Sequence, residues 1–228
     1  MAAGDDPKPT VLILHGLPGI EQNHDLAHAL RDHGWNVLIF NYRGCWGSGG
    51  SYAFKNQPDD AVACIDYLEE GKHPQVDLNR LIVIGHSMGG WAAIHTAARD
   101  ERVKAICAIS AVGDPARLRF DDNKLAEEEF YPWLPGHTLE TFGELWRELG
   151  RDRAFDPAVI VRKISPRPLL MIHPEPDDVV PIDHARNVFE KAGEPKQWLS
   201  HPEANHSFTW HRMWLIEHVL GWIDQLAL

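Results

Sequence analysis

Between the unbroken apolar run Leu81-Ile82-Val83-Ile84 and the small-residue stretch Trp91-Ala92-Ala93-Ile94-His95-Thr96-Ala97-Ala98, the chain reads Gly85-His86-Ser87-Met88-Gly89. A strand, this turn and a helix in succession form the context that gives the short G-x-S-x-G pattern its weight. The turn is so tight that the flanking residues must be small, because a Cβ there would collide with the neighbouring strand or helix. It holds the serine in a strained backbone conformation, with its hydroxyl raised above the sheet and nearby N–H groups free to face an oxyanion. Ser87 is therefore the candidate nucleophile, and the alternative of a chance glycine-rich turn loses ground to its setting.

A serine hydroxyl is a poor nucleophile alone and requires a base and an orienting acid. Both residue types follow in the order Ser, Asp, His. The apolar run Pro168–His173 leads into Glu175-Pro176-Asp177-Asp178-Val179-Val180-Pro181, and Ser200-His201-Pro202-Glu203-Ala204-Asn205-His206-Ser207-Phe208 leads into an apolar-periodic C-terminal segment. This chain order is distinct from those of the chymotrypsin and subtilisin types.

These segments resemble the α/β-hydrolase superfamily, in its small-esterase, dienelactone-hydrolase-like or serine-aminopeptidase-like branches, over nearly the whole chain. His15-Gly16-Leu17-Pro18-Gly19, after Val11–Leu14, resembles the family's oxyanion loop. Asn41-Tyr42-Arg43-Gly44-Cys45-Trp46-Gly47-Ser48-Gly49-Gly50 resembles the glycine-rich loop after the next strand, with Asn41 where Asp is usual. His173–Pro181 is similar to the H-G-x-x-D-x-x-V-P acid loop, with Pro174 in the glycine position. The resemblance implies Ser87 as nucleophile, Asp177 as acid, His206 as base, and the backbone N–H groups of Leu17 and Met88 as oxyanion donors. It calls for neither metal nor organic cofactor.

Periodicity leads to the same architecture. Near-continuous apolar strands are expected at Val11–Leu14, Asn36–Asn41, Leu81–Ile84, Val103–Ile109, Pro168–His173 and Lys196–Leu199. Between them lie helical spacings such as Ala61, Cys64, Ile65 and Leu68, and near the end Met213, Ile216, Val219, Leu220, Ile223 and Leu226. Such alternation implies an α/β fold with about six mostly parallel strands and helices on both faces. The family usually opens with two earlier strands, so the expectation is a shortened α/β-hydrolase fold in one domain over residues 1–228.

One stretch breaks the rhythm. Between Ser110 and Pro166 stand Phe120, Phe130, Tyr131, Trp133, Leu134, Phe142 and Trp146 among acidic runs. A connection this long usually has a function or carries its own helices. In the resembled family an insertion after this strand forms a cap. A cap is expected at about residues 113–160, with Phe130, Tyr131, Trp133, Phe142 and Trp146 as substrate-facing candidates; the plainer alternative is a helical excursion covering the sheet edge.

The formal net charge of −11 and the lack of any basic run argue against a nucleic-acid partner. No segment approaches a membrane-spanning length and the N-terminal residues carry no apolar leader, so a cytoplasmic protein with no membrane partner is expected. Cys45, Cys64 and Cys107 are odd in number with no C-x-x-C spacing, and reduced thiols are expected, Cys45 being the one a reagent could reach. His24 and His28 stand at i, i+4 but without further zinc ligands, and read as a solvated helix face. His15 is expected to prop the oxyanion loop and His86 to pack within the turn, while His201 and His211 merely flank His206.

The expected activity is cleavage of small carboxylic esters of short to medium acyl or aryl type through an acyl-enzyme. Alternatives are a serine peptidase of the acyl-peptide or aminopeptidase type, and a binding protein that keeps the fold without catalysis. A complete set of candidate catalytic residues counts against the last.

Overall fold

The structure, a computed structural model, describes residues 1–71, 73–118 and 139–228. Six strands, β1 (Lys8–Leu14), β2 (Asn36–Ile39), β3 (Val76–His86), β4 (Val103–Ile109), β5 (Leu169–Pro174) and β6 (Lys196–His201), form one sheet in the order β2-β1-β3-β4-β5-β6. All five pairings are parallel. The principal helices are α1 (His24–Asp32), α2 (Gln57–Glu69), α3 (Met88–Arg99), α4 (Leu139–Arg151), α5 (Ile182–Lys191) and α6 (Arg212–Ile223).

Alternate strand residues divide the core into two layers. Leu12, Leu14, Leu81, Val83, Ile106, Ala108, Leu169 and Met171 point to the face covered by α2, α3 and α5. Val11, Ile13, Ile82, Ile84, Ala105, Cys107, Leu170 and Ile172 point to the face covered by α1 and α6. Burial on both faces is why these strands read as apolar runs and not as alternating ones. The pairing extends β3 back to Val76, through the mixed stretch Val76-Asp77-Leu78-Asn79-Arg80 that no continuous apolar run marks, and stops β2 at Ile39.

From β1 the chain crosses to β2 on one side, then returns to β3 on the other. The carboxyl ends of β1 and β3 thus flank the point where the strand order reverses, the crevice in which open α/β sheets bind ligands. The oxyanion-type loop follows β1 and Ser87 follows β3, so both sequence signals meet at this crevice.

The excursion after β4 is anchored to the core. On α4, Phe142 and Trp146 lie edge-on to Phe54 with ring centroids 5.2 and 5.0 Å away, and both are buried. Trp146 Nε1 donates to the Leu118 carbonyl at 2.8 Å, fastening α4 to the stretch that leaves β4. The aromatic stripe read as substrate-facing thus contributes, at these two positions, to the hydrophobic core beside Phe54. Phe130, Tyr131 and Trp133 lie outside the described residues. No helix among the described residues is long and apolar enough to cross a membrane.

Gly143 lies in the interior of α4, where an added Cβ would meet nothing within 4 Å. Gly143→Ala should therefore raise stability by about 0.5–1 kcal/mol, because alanine loses less conformational freedom in a helix. A urea midpoint that fails to rise would mean that α4 is not helical there in solution.

Candidate active site

Ser87 joins β3 to α3 with φ 56° and ψ −118°, a conformation that side chains other than glycine rarely adopt. Packing on every side enforces it. A Cβ on Gly85 would lie 2.0 Å from the Gly89 carbonyl oxygen, and one on Gly89 would lie 2.0 Å from that of Leu14. These obstacles are backbone atoms and cannot swing aside. Gly89→Ala should accordingly cost more than the roughly 1–3 kcal/mol of ordinary overpacking. A denaturant midpoint within error of the wild type would contradict this account of the turn.

The Ser87 backbone is held from both directions. Its N–H donates to the Ile109 carbonyl at 2.8 Å, and its carbonyl accepts from Gly90, Trp91 and Val112. Met88 begins α3, so its N–H and that of Gly89 precede the first bonds to the Ser87 carbonyl, at the helix end whose dipole favours negative charge. Across the crevice, a Cβ on Gly16 would come within 2.9 Å of Ser87 Cβ, so the loop carrying Leu17 lies directly against the serine. His15 Nδ1 donates to the Gly16 carbonyl at 2.7 Å, and burial holds the His15 ring below the usual histidine range. Trp46 Nε1 donates to the Pro18 carbonyl at 2.8 Å, and Gln22 Nε2 donates to Asn41 Oδ1 at 2.9 Å. The glycine-rich loop after β2 therefore braces the loop after β1.

His206 arrives from the loop between β6 and α6. Its carbonyl accepts hydrogen bonds from Ser110 Oγ at 2.8 Å and His86 Nε2 at 3.0 Å, and its ring lies 4.9 Å from that of His86. These contacts fix the His206 backbone beside the strained turn. Among the described residues no hydrogen bond joins Ser87 Oγ to His206. Such contacts often tighten only with substrate in place.

His206 Nδ1 lies 2.8 and 3.0 Å from the two Asp177 oxygens. Asp177 is buried and accepts the backbone N–H groups of Val179 at 3.0 Å and Val180 at 2.8 Å. His173 Nε2, donating to the Val180 carbonyl at 2.8 Å, lies 3.2 Å from the second carboxylate oxygen. Burial pushes the Asp177 carboxyl up, but the hydrogen bonds from His173 and His206 outweigh it and hold the group well below the usual carboxylate range. Asp178 is exposed.

The remaining titratable groups fall into structural roles. His201 Nδ1 accepts the N–H groups of Glu203 and Ala204, and its ring packs 4.1 Å from that of His211. His24 and His28 are exposed, and among the described residues no cluster of His, Cys, Asp or Glu could hold a metal. Cys45 is buried, and burial followed by the nearby Asp60 pushes its thiol up to about 12. The expectation of a reagent-accessible Cys45 is thereby corrected: the loop lies at the crevice, but the thiol turns into the core.

His86 and His95 carry a stability consequence. Burial lowers both rings to about 3 from an ordinary 6.5, with the charges of His206 and Arg99 as the respective second causes. Between those pH values the unfolded chain binds protons that the folded chain refuses, so acidification favours unfolding. Asp177, with its lowered pKa, withdraws its own contribution further down the pH scale. Thermal stability should therefore decline steadily from pH 7 to pH 4. His95→Gln should flatten that decline, since its amide can still donate to the Phe155 carbonyl that His95 meets at 3.1 Å. An unchanged slope in the variant would contradict the assignment.

The sequence model of the prolyl oligopeptidase family matches residues 23–227. The chain is 26% identical over 205 residues to YfhR of Escherichia coli strain K12, described as uncharacterized, with 89% of this chain and 64% of YfhR covered. It is 27% identical over 242 residues to YuxL of Bacillus subtilis strain 168, described as an uncharacterized peptidase, covering 97% of this chain and 35% of YuxL. The chain thus spans less than two thirds of the length of these curated relatives. Among solved structures, Est1E from Butyrivibrio proteoclasticus with ferulic acid bound superposes with a TM-score of 0.78 at 21% identity. That match covers 97% of this chain and 90% of Est1E, a likeness of fold.

Proposed function

Because the chain belongs to the prolyl oligopeptidase family, a hydrolase family within the α/β-hydrolase superfamily, its chemistry is expected at the crevice described above, and we propose that it is a serine hydrolase of carboxylic esters. The observation that carries this reading is the close pairing of His206 Nδ1 with buried Asp177, presented beside a serine at φ 56°. In the proposed mechanism, His206 Nε2 takes the Ser87 proton as Oγ attacks the acyl carbon. His206 then returns that proton to the leaving alcohol. Asp177 holds the proton on Nδ1 and stabilises the imidazolium without accepting it. The N–H groups of Leu17 and Met88 receive the developing oxyanion, an interaction worth about 3 kcal/mol per donor. Water repeats the sequence to release the acid.

Esters of short acyl or aryl type are the proposed substrates. Est1E, which shares this fold, has ferulic acid bound, and that likeness supports an aromatic acid as one candidate acyl group here. Residues 113–160 are proposed as the cap, with Phe142 and Trp146 seating it on Phe54. A second reading, a serine peptidase, is favoured by the family match and by the likeness to YuxL. Side-by-side turnover of p-nitrophenyl esters and aminoacyl-p-nitroanilides separates the two. Faster Ser87-dependent turnover of esters supports the first; anilide cleavage of equal or greater efficiency would replace it with the second.

A further inference from the structure

The first residue of α6 reaches back across most of the chain. Arg212 Nε and Nη2 donate to the two oxygens of Asp25 at 2.7 and 2.6 Å, a fork-to-fork pair at the start of α1. Nη2 also donates to Asn23 Oδ1 at 2.9 Å, and Nη1 to the Ser207 carbonyl at 3.0 Å. The Arg212 side chain is only 17% exposed. Bidentate pairing of this kind sets orientation as well as distance, which a lysine ammonium cannot reproduce.

What the guanidinium joins is specific. Ser207 directly follows the proposed base, His206. Asn23 closes the loop that begins at His15 and carries Leu17; it is buried, held at φ 56°, and its carbonyl accepts from Ala27 at 2.9 Å. On its other side that loop is braced by Trp46 and Asn41. We propose that Arg212 is a positioning residue that fixes the base-bearing loop in register with the oxyanion loop, so that the proton acceptor and the oxyanion donors keep one spacing around Ser87. The inference rests on the proposed serine-hydrolase reading. It assigns Arg212 no contact with substrate.

The test uses the full chain with p-nitrophenyl acetate at 25 °C, with fluorophosphonate labelling of Ser87 measured in parallel. Arg212→Lys keeps the charge and removes the fork. It should lower kcat by about 10- to 100-fold with KM within about threefold, and labelling should slow by a similar factor, as expected when reacting groups are slightly misplaced. Asp25→Asn, which keeps an oxygen for the bond Asp25 accepts from the Leu26 N–H at 2.8 Å and weakens the pair with Arg212, should lower kcat by several-fold. The double variant should be no worse than Arg212→Lys alone, because both changes break one link. A kcat within twofold of the wild type in Arg212→Lys would overturn the inference. So would losses in the two single variants that multiply in the double. Should Arg212→Lys fail to fold, Asp25→Asn carries the test on the same readouts, and unchanged kcat and labelling there would reject the proposal. Wild-type protein without any Ser87-dependent turnover or labelling would overturn the serine-hydrolase reading and this inference together. Ser87-dependent turnover that both variants leave intact removes only the role given to Arg212.

Discussion

Ser87→Ala should reduce ester turnover by roughly 10⁶ while leaving the fold intact, the scale seen when the nucleophile of such a constellation is removed. The strained turn is imposed by backbone contacts at Gly85 and Gly89 and by the four main-chain hydrogen bonds of residue 87, and none of these involves the serine hydroxyl. Alanine has the same Cβ and can occupy the same φ and ψ. Thermal unfolding should therefore match the wild type or improve slightly. Residual turnover above about a hundredth of the wild type, in protein free of contaminating esterase, would move the nucleophile elsewhere.

Asp177→Asn should cost on the order of 10⁴ in turnover, whereas Asp178→Asn should cost little. Asp177 Oδ2 accepts a hydrogen bond from His206 Nδ1–H across 2.8 Å, and an amide there can instead offer N–H to that nitrogen, favouring the tautomer that leaves no lone pair on Nε2. The neighbouring carboxylate points to solvent. Two adjacent acids thus separate by orientation alone, and the reverse ranking would contradict the geometry of the acid loop. His173 belongs to the same argument, since its Nε2 shares its donor between Val180 and Asp177 and so holds the carboxylate in place.

Much of this architecture was readable because its physical causes are local. Strands buried on both faces are apolar along nearly their whole length, so Leu81–Ile84 and Val103–Ile109, interrupted only by the half-buried Lys104, fit a covered parallel sheet. The turn at Ser87 needs small residues at fixed offsets, and those offsets survive in the letters. What stayed hidden depends on contacts between distant segments. Val76–Arg80 joins β3 through the pairing of Lys8 and Pro9 with its start, while Asp77, Asn79 and Arg80 interrupt the apolar run that marks the rest of the strand. Arg212 and Asp25 are 187 positions apart, and no pattern at either end declares the pair. Phe142 and Trp146 stand at i, i+4 on one helix, a spacing that suits a ligand pocket and a core equally; contact with Phe54 decides for the core. Cys45 follows the same logic. A loop can reach the crevice while one of its side chains turns inward, and only the packing around Tyr42 and Tyr52 reveals which.

The most direct test of a serine hydrolase built on Ser87 is covalent capture. Wild-type protein incubated with a fluorophosphonate should gain the mass of one phosphonyl group, and peptide mapping should place it on Ser87. The adduct should be absent from Ser87→Ala and form far more slowly in His206→Ala, because the hydroxyl needs its base to attack. A stoichiometric adduct on another residue such as Ser48 or Ser110, or no adduct from a well-folded wild-type chain, would contradict the account.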